Sequence, residues 1–400
     1  MATALTPLAA TAQEDTMREI SGTLTYLQRI ALAPDAVVTV QALGLRDVLL
    51  GEVSFATDGA QVPLPFALAV PDGAALLLTA TVVAEGGTQW AAGPVAVGAT
   101  SRAAGEIVLS PGGLPFAMLC GDMPVTVRFG GSGVELATPR GDLQLGAVET
   151  ASGARFEAEG DPSTWFWSKG DVATLSLFGE EYPECVLRPE IYVARGNEPF
   201  WTIYVEGAEL YFSTLDGLEA RGPVPEAVWR DGAVEWDVAY AGLRLRMSEG
   251  LCRDTMTGMP HPETVQLTTP EGELAGCGGD PATLLTGGEW VIEEIAGAGM
   301  VADLTAGLPD AAPLTMVFRD GGSLGGRGGC NTYSAGFTLT GEGLSIGPAA
   351  ATMMACEEPL MQLEQALFMA LPAVTRFDID ASGALVLYGA EEMPLVVARR

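Results

Sequence analysis

Apolar positions between residues 20 and 109 come in short runs, at 21–27, 36–43, 49–56, 64–70, 75–83 and 107–109, separated by Gly, Pro and Asp. A two-residue alternation turns one face of a strand toward a core and the other toward water, and this spacing predicts a β-sandwich. Pro111-Gly112-Gly113 breaks the pattern. Runs at 118–120, 125–129, 134–137, 141–145 and 173–178 then predict a second small β unit. Two loops lie between its strands, at 151–156 and 165–171. A helical period emerges only after Pro359, where Leu360, Leu363, Leu367 and Leu371 fall at i, i+3, i+7 and i+11. That stripe predicts an amphipathic helix with Leu toward the core.

The expected fold class is therefore mainly β: a string of small β-sandwich or β-barrel-like domains, the C-terminal one α+β with a single amphipathic helix. The expected boundaries are a leader at 1–16 and domains at 17–112, 113–188, 189–280 and 281–400. Met353, Met354, Met361 and Met369 are expected in the core of the last domain, and Trp201, Trp229 and Trp236 in cores rather than in a ligand stack. Asn331 is expected to bond to backbone in a turn.

Hydrophobic content of 48% fits a globular chain, and 400 residues predict more than one core. The formal net charge is −31, with a pI near 4.1. The acid is spread along the chain without a tail or block, so it belongs to the surface. Such a field excludes nucleic acid and anionic membrane surfaces as partners and favours a cationic one. An acid-enriched solvated surface accounts for the same charge without any partner. No apolar stretch is long enough for a transmembrane segment. Residues 1–13 are small and apolar, and Ala10-Thr11-Ala12 matches an A-x-A cleavage site. Without a charged start, they read as the remnant of an export signal.

The six cysteines, Cys120, Cys185, Cys252, Cys277, Cys330 and Cys356, include no C-x-x-C pair. With His261 as the lone histidine, the common zinc sites are not available, and neither a metal nor a cofactor is expected. Fifteen pairings are open. Paired in order, each bridge would close a loop inside one domain, worth about 4 kcal/mol for the first and about 3.5 kcal/mol for each of the others. Disulfides imply an oxidising compartment. No cysteine near the start could accept the lipid of a lipoprotein.

Catalytic patterns are weak. The glycines at 321–329 lead into Cys330-Asn331-Thr332-Tyr333 in a β run, which is not a phosphate loop. No G-x-S-x-G precedes a histidine. His261 stands between prolines without partners and reads as structural or surface. The chain is expected not to be an enzyme.

One lysine, Lys169, stands against nineteen arginines, in Trp167-Ser168-Lys169-Gly170-Asp171. Chance is one reading, since some position must be the last lysine. The other is a task that needs a slim point charge rather than a planar fork.

Short motifs then carry resemblances. I-S-G-T-L-T-Y at 20–26, L-A-P-D-A-V-V-T-V at 32–40 and P-F-A-L-A-V at 65–70 resemble the YbaY/YscW family of pilotin-like lipoproteins. That family implies a β fold and a role with outer-membrane or other envelope proteins. Cys120, V-T-V-R-F at 125–129, S-G-A-R-F at 152–156, F-W-S-K-G-D-x-A-T-L at 166–175 and Cys185 occur in an order that resembles the MliC family, the membrane-bound inhibitors of C-type lysozyme. Residues 189–280, with R-G-N-E-P-F-W and C-R-D-T-M-T-G-M-P-H-P, resemble a small envelope domain of unassigned function. G-C-N-x-Y and M-A-C around a helix resemble the META domain of HslJ-type envelope proteins.

These resemblances imply an exported protein of a Gram-negative periplasm or cell envelope whose partner is C-type lysozyme. Lysozyme is a retaining glycosidase with two cleft carboxylates, one kept protonated as acid. The inhibitor family implies that loops carrying Ser152, Gly153, Ala154 and Arg155, and Trp167, Ser168, Lys169, Gly170 and Asp171, enter that cleft. Lys169 would pair with the carboxylates and Ser152 would hydrogen-bond beside it. An ammonium near the acid favours its ionised form and removes the proton donor. Arg155 departs from the family, which usually has lysine there, and puts a secondary contact in doubt. The rival expectation is a non-catalytic envelope assembly protein, pilotin-like or with a META-domain stress role, that uses the inhibitor fold as scaffold.

Overall fold

The computed structural model describes residues 16–27, 31–84, 87–130, 133–150, 152–169, 172–188, 191–308, 312–341 and 343–400. Residues 1–15, including Ala10-Thr11-Ala12, lie outside them, as do Gly170 and Asp171. The chain is mainly β, and no described helix is long and apolar enough to cross a membrane. It divides into two compact units, 1–114 with 227–235, and 115–226 with 236–400.

In the first unit Met17–Thr25 lies between Leu64–Pro71 (antiparallel) and Ala103–Val108 (parallel) in one sheet. Leu49–Ala56, Val37–Leu43, Leu76–Ala84, Gly87–Val97 and Ser110–Pro111 make the other. The alternation works as expected: Val38, Val40 and Ala42 are fully buried while their neighbours face outward. Strand Gly87–Val97 was not among the expected runs, because Gly93-Pro94 carries turn chemistry inside it. Tyr26 stacks on Trp90 with centroids 4.2 Å apart. Trp229, from the 227–235 stretch, packs against this core.

Arg18 is buried in the same unit, at 1% exposure, with its guanidinium among backbone carbonyls. Nη1 donates to Pro71 O (3.3 Å) and Ala99 O, and Nη2 to Ala74 O (2.7 Å) and Gly98 O (3.2 Å). The planar fork suits such a site, because it delivers several donors in fixed directions.

In the second unit, residues 116–187 form a closed barrel. Its strand path runs Asp161–Lys169, Ala154–Ala158, Gly141–Val148, Gly133–Thr138, Met123–Phe129, Phe116–Cys120, Cys185–Leu187, Val172–Leu177. Asp161–Lys169 also pairs Val172–Leu177, which closes the circuit. Phe156, Phe166 and Phe129 fill the interior. Cys120 and Cys185 face each other on neighbouring strands and are joined.

The next sheet includes Phe200–Glu206, Ile191–Asn197, Gly272–Gly278, Pro260–Thr269 and Leu243–Arg253 as neighbours. Trp201 and Trp236 are buried, and Cys252 is bonded to Cys277. His261 is buried too, and its Nδ1 donates to Gly279 O at 3.0 Å. Burial holds the imidazole pKa below its ordinary value, and Arg195 pushes the same way. The Gly279 carbonyl, Asp254 and Asp280 oppose the shift without reversing it. A depressed histidine pKa means the folded state resists the proton. Its stabilisation is complete above the unfolded value, about 6.5, and is lost as pH falls through the lower folded one. The melting-temperature advantage of the natural chain over His261→Asn should therefore shrink between about pH 7.5 and about pH 5.5. Thermal melts of both proteins across that window check this, and a constant difference would contradict it.

The last sheet runs Gly343–Ile346, Thr332–Thr340, Ser323–Arg327, Thr315–Arg319, Trp290–Ile295, Pro394–Arg399, Leu385–Tyr388, Arg376–Ile379. The helix Glu358–Ala370 lies between Gly343–Ile346 and Arg376–Ile379 in the chain, with Leu360, Leu363 and Leu367 buried, and Leu371 just beyond it buried as well. Two short helical segments, Ala282–Leu285 and Val301–Thr305, accompany it. Cys330 and Cys356 are joined. Asn331 is buried and fully used. Its Nδ2 donates to Glu364 Oε1 (2.9 Å) and Met354 O (3.2 Å), and its Oδ1 accepts from Thr352 Oγ1 and Met354 N (both 2.7 Å). The methionine expectation fails. Met353 is 97% exposed, Met369 71%, Met354 55% and Met361 38%. The two on the helix fall outside the i, i+3, i+7, i+11 series that defines its inner face.

Candidate functional site

Residues 165–169 are not a loop. They belong to the strand Asp161–Lys169, which pairs Ala154–Ala158 on one side and Val172–Leu177 on the other. Alternation explains the assignment: Phe166 points inward at 0% exposure, while Trp165 and Trp167 point out. Lys169 is the last residue of the strand, opposite Val172, and its side chain is exposed. Among the described residues its ammonium makes no hydrogen bond or ion pair.

Ser152 and Gly153 lead into the partner strand, whose register sets Ala154 opposite Ser168 and Arg155 opposite Trp167. The two sequence-distant segments therefore meet at one end of a hairpin. One side-chain bond ties them, and a second shapes the segment that receives it. Trp167 Nε1 donates to Ser152 O at 2.9 Å, and Thr150 Oγ1 donates to the same oxygen at 3.3 Å. Gly153 has φ +69°, and a Cβ there would collide with the Ser168 carbonyl oxygen and lie 3.5 Å from Lys169 Cβ. Only glycine permits this approach of backbone to backbone. With the Ser152 carbonyl engaged, the exposed Ser152 side chain and the exposed Lys169 side chain are carried by a common frame.

Arg155 is part of that frame. Its Nε donates to Glu157 Oε1 at 2.9 Å, and its guanidinium carbon lies 4.7 Å from the Trp165 ring centre and 6.0 Å from that of Trp167. Its charge is thus shared with Glu157 and two indole faces, whereas Lys169 is an exposed cation at this end with no such partner among the described residues. Trp165 and Glu157 were not among the expected site residues. The outward spacing of Trp165 and Trp167 was the available signal, and the Glu157 pairing needed the hairpin register. No described group of three or more His, Cys, Asp or Glu could hold a metal ion. Gly170 and Asp171 lie outside the described residues.

Comparison with known families locates three matches. Residues 15–96 match the family model for the type III secretion system lipoprotein chaperone YscW. Residues 119–183 match that for MliC, the membrane-bound lysozyme-inhibitor of c-type lysozyme. Residues 283–400 match the META domain. No curated protein matches the chain. Similar solved structures include an alternative pilotin from the type II secretion system of Vibrio cholerae, 25% identical over 24% of this chain and 100% of that one, with a TM-score of 0.22. A protein from Burkholderia xenovorans solved by NMR is 28% identical over 30% of this chain and 88% of that one, with a TM-score of 0.24. The chain thus joins three segments, each matching a separate family model, and the lysozyme-inhibitor match contains both Ser152 and Lys169.

Proposed function

We propose that the chain is an exported envelope protein that binds and inhibits C-type lysozyme through the barrel end bearing Lys169 and Ser152. The observation that supports this reading is the Trp167–Ser152 hydrogen bond beside Gly153, which joins the segment carrying the exposed Ser152 to the strand that ends in the exposed Lys169. A point charge held out on a fixed strand end is preorganised to enter a cleft, so little ordering is lost on binding. In the cleft the ammonium pairs with the two carboxylates that lysozyme needs in different protonation states, and the acid loses its proton. The direct test is lysis of bacterial cells by C-type lysozyme with and without the purified chain. Undiminished lysis at an excess of the chain would refute the reading. The match of residues 15–96 to a secretion lipoprotein chaperone favours a second role, assembly of an envelope partner by the first unit. Loss of that role on deleting the first unit, with inhibition intact, would separate the two.

Charge sets an expectation for the kinetics. Hen-type lysozyme is strongly cationic and this chain carries −31, so long-range attraction should speed encounter. The Debye length falls from about 30 Å at 0.01 M salt to about 8 Å at 0.15 M. The association rate should fall steeply over that range, while the dissociation rate, governed by short-range contacts, changes little. Surface-plasmon kinetics at the two salt levels check this. Equal salt sensitivity in both rates would mark adhesion of an acidic protein to a basic one.

A further inference from the structure

The sheet of residues 191–278 has one face in a core and the other open, and the open face is not an ordinary solvated surface. Its register sets Arg195 opposite Cys277, Cys277 opposite Thr264 and Thr264 opposite Ser248 in one row. The next row runs Ala275, Gln266, Arg246. These residues line a concavity of about 530 Å³. Ala275 and the Cys252–Cys277 bridge give it a small apolar floor, and the amide and hydroxyl groups stand around it.

Its charge is unusual for a chain of −31. Three arginines line the cavity against two acids, Glu198 and Asp254. Asp254 is occupied: Oδ1 accepts from Met256 N and Thr257 N of its own turn (both 2.9 Å), and Oδ2 from Asn197 Nδ2 of the strand Ile191–Asn197 (3.2 Å). Arg253 is held by Asp378 Oδ2 at 3.0 Å and Ile379 O at 2.9 Å. Arg195 is different. Its Nε is buried without a hydrogen-bond partner, and no ion pair reaches it among the described residues. Because Nε is enclosed, the terminal nitrogens of this guanidinium are the donors that a ligand in the trough would meet.

We propose that this trough binds a carboxylate-bearing saccharide, with Arg195 taking the carboxylate. The planar fork gives paired donors in the geometry that a carboxylate accepts. Gln266, exposed on the same face, offers both a donor and an acceptor to ring hydroxyls, and Ser248 and Thr264 add hydroxyls of their own. The apolar floor suits the C–H face of a sugar ring. An unstacked, shallow trough does not suit a nucleotide base, which would need an aromatic platform. The trough lies on a different sheet from the one that carries Lys169.

The test uses the full chain, with N-acetylmuramic acid as probe and N-acetylglucosamine, which lacks the lactyl carboxylate, as control. Heteronuclear NMR titration should show saturable shifts at Arg195, Thr264 and Gln266 with the acid sugar alone. Arg195→Gln should weaken binding about tenfold or more, as expected for loss of a charge-assisted pair. Gln266→Ala, an exposed change that leaves the core untouched, should weaken it a few-fold, as for one neutral hydrogen bond. Equal binding of the two sugars, no saturable shift from the acid sugar, or unaltered affinity in both variants would overturn the proposal.

Discussion

Replacing Lys169 by alanine is expected to abolish inhibition of C-type lysozyme. In the proposed complex the exposed ammonium at the strand end is one half of a charge pair buried in the cleft. Truncating one partner of such a pair costs about 2–5 kcal/mol or more, largely because the opposing charge is left desolvated and unpaired. At the low end that is about thirtyfold in affinity, and at the high end several thousandfold. Lys169→Arg keeps the charge but widens the head to a planar fork, and should lose most of the inhibition. Ser152→Ala removes one neutral hydrogen bond and should cost about 1 kcal/mol. The dissociation rate should carry these losses. One charge in −31 barely changes the field that governs encounter. Full inhibition by the alanine variant would refute the cleft-plug mechanism while leaving lysozyme binding by another surface open to measurement.

The largest expected loss of stability comes from Arg18→Met. Methionine keeps much of the aliphatic bulk but removes every donor, and the carbonyls of Pro71, Ala74, Gly98 and Ala99 lose the guanidinium that now serves them. A buried acceptor left without its donor costs about 1–3 kcal/mol, and with several carbonyls stripped at once the loss is a large share of a domain's net stability. Arg18→Lys should fall between, because an ammonium can reach only some of these acceptors. Hydrogen exchange in Met17–Thr25 and Leu64–Pro71 reads the effect directly, since the two strands pair along their length. Unchanged protection in the methionine variant would contradict the role given to Arg18. Lysozyme inhibition, which the proposal assigns to the other unit, should not change.

Much of the fold was legible because burial there follows a period. Val38, Val40 and Ala42 alternate as a strand requires, and Leu360, Leu363, Leu367 and Leu371 recur as a helix requires. Apolar character alone does not locate the methionines: the same rule places Met361 and Met369 off the helical stripe, and both are exposed. The candidate site was legible as motifs but not as a frame. Three aromatic residues in a row, Trp165-Phe166-Trp167, followed by Ser, Lys and Gly, hide a strand whose middle ring is inward and whose outer rings are outward. The engagement of Arg155 with Glu157 and Trp165 depends on a hairpin register that no local pattern specifies. Gly153 was named as part of a motif; its left-handed backbone and its approach to Ser168 became visible only with the two strands side by side.

Trp229 gives the chain a particular order of assembly. It packs on a core built otherwise from residues before 115, yet it is synthesised after the whole barrel of residues 116–187. A nascent chain emerging N-terminus first can pair the early strands at once, but it cannot cover that part of their apolar surface until residues 227–235 arrive. The first unit to be made is therefore among the last to be finished, and any fragment cut at residue 114 carries the seam that this late tryptophan would have closed.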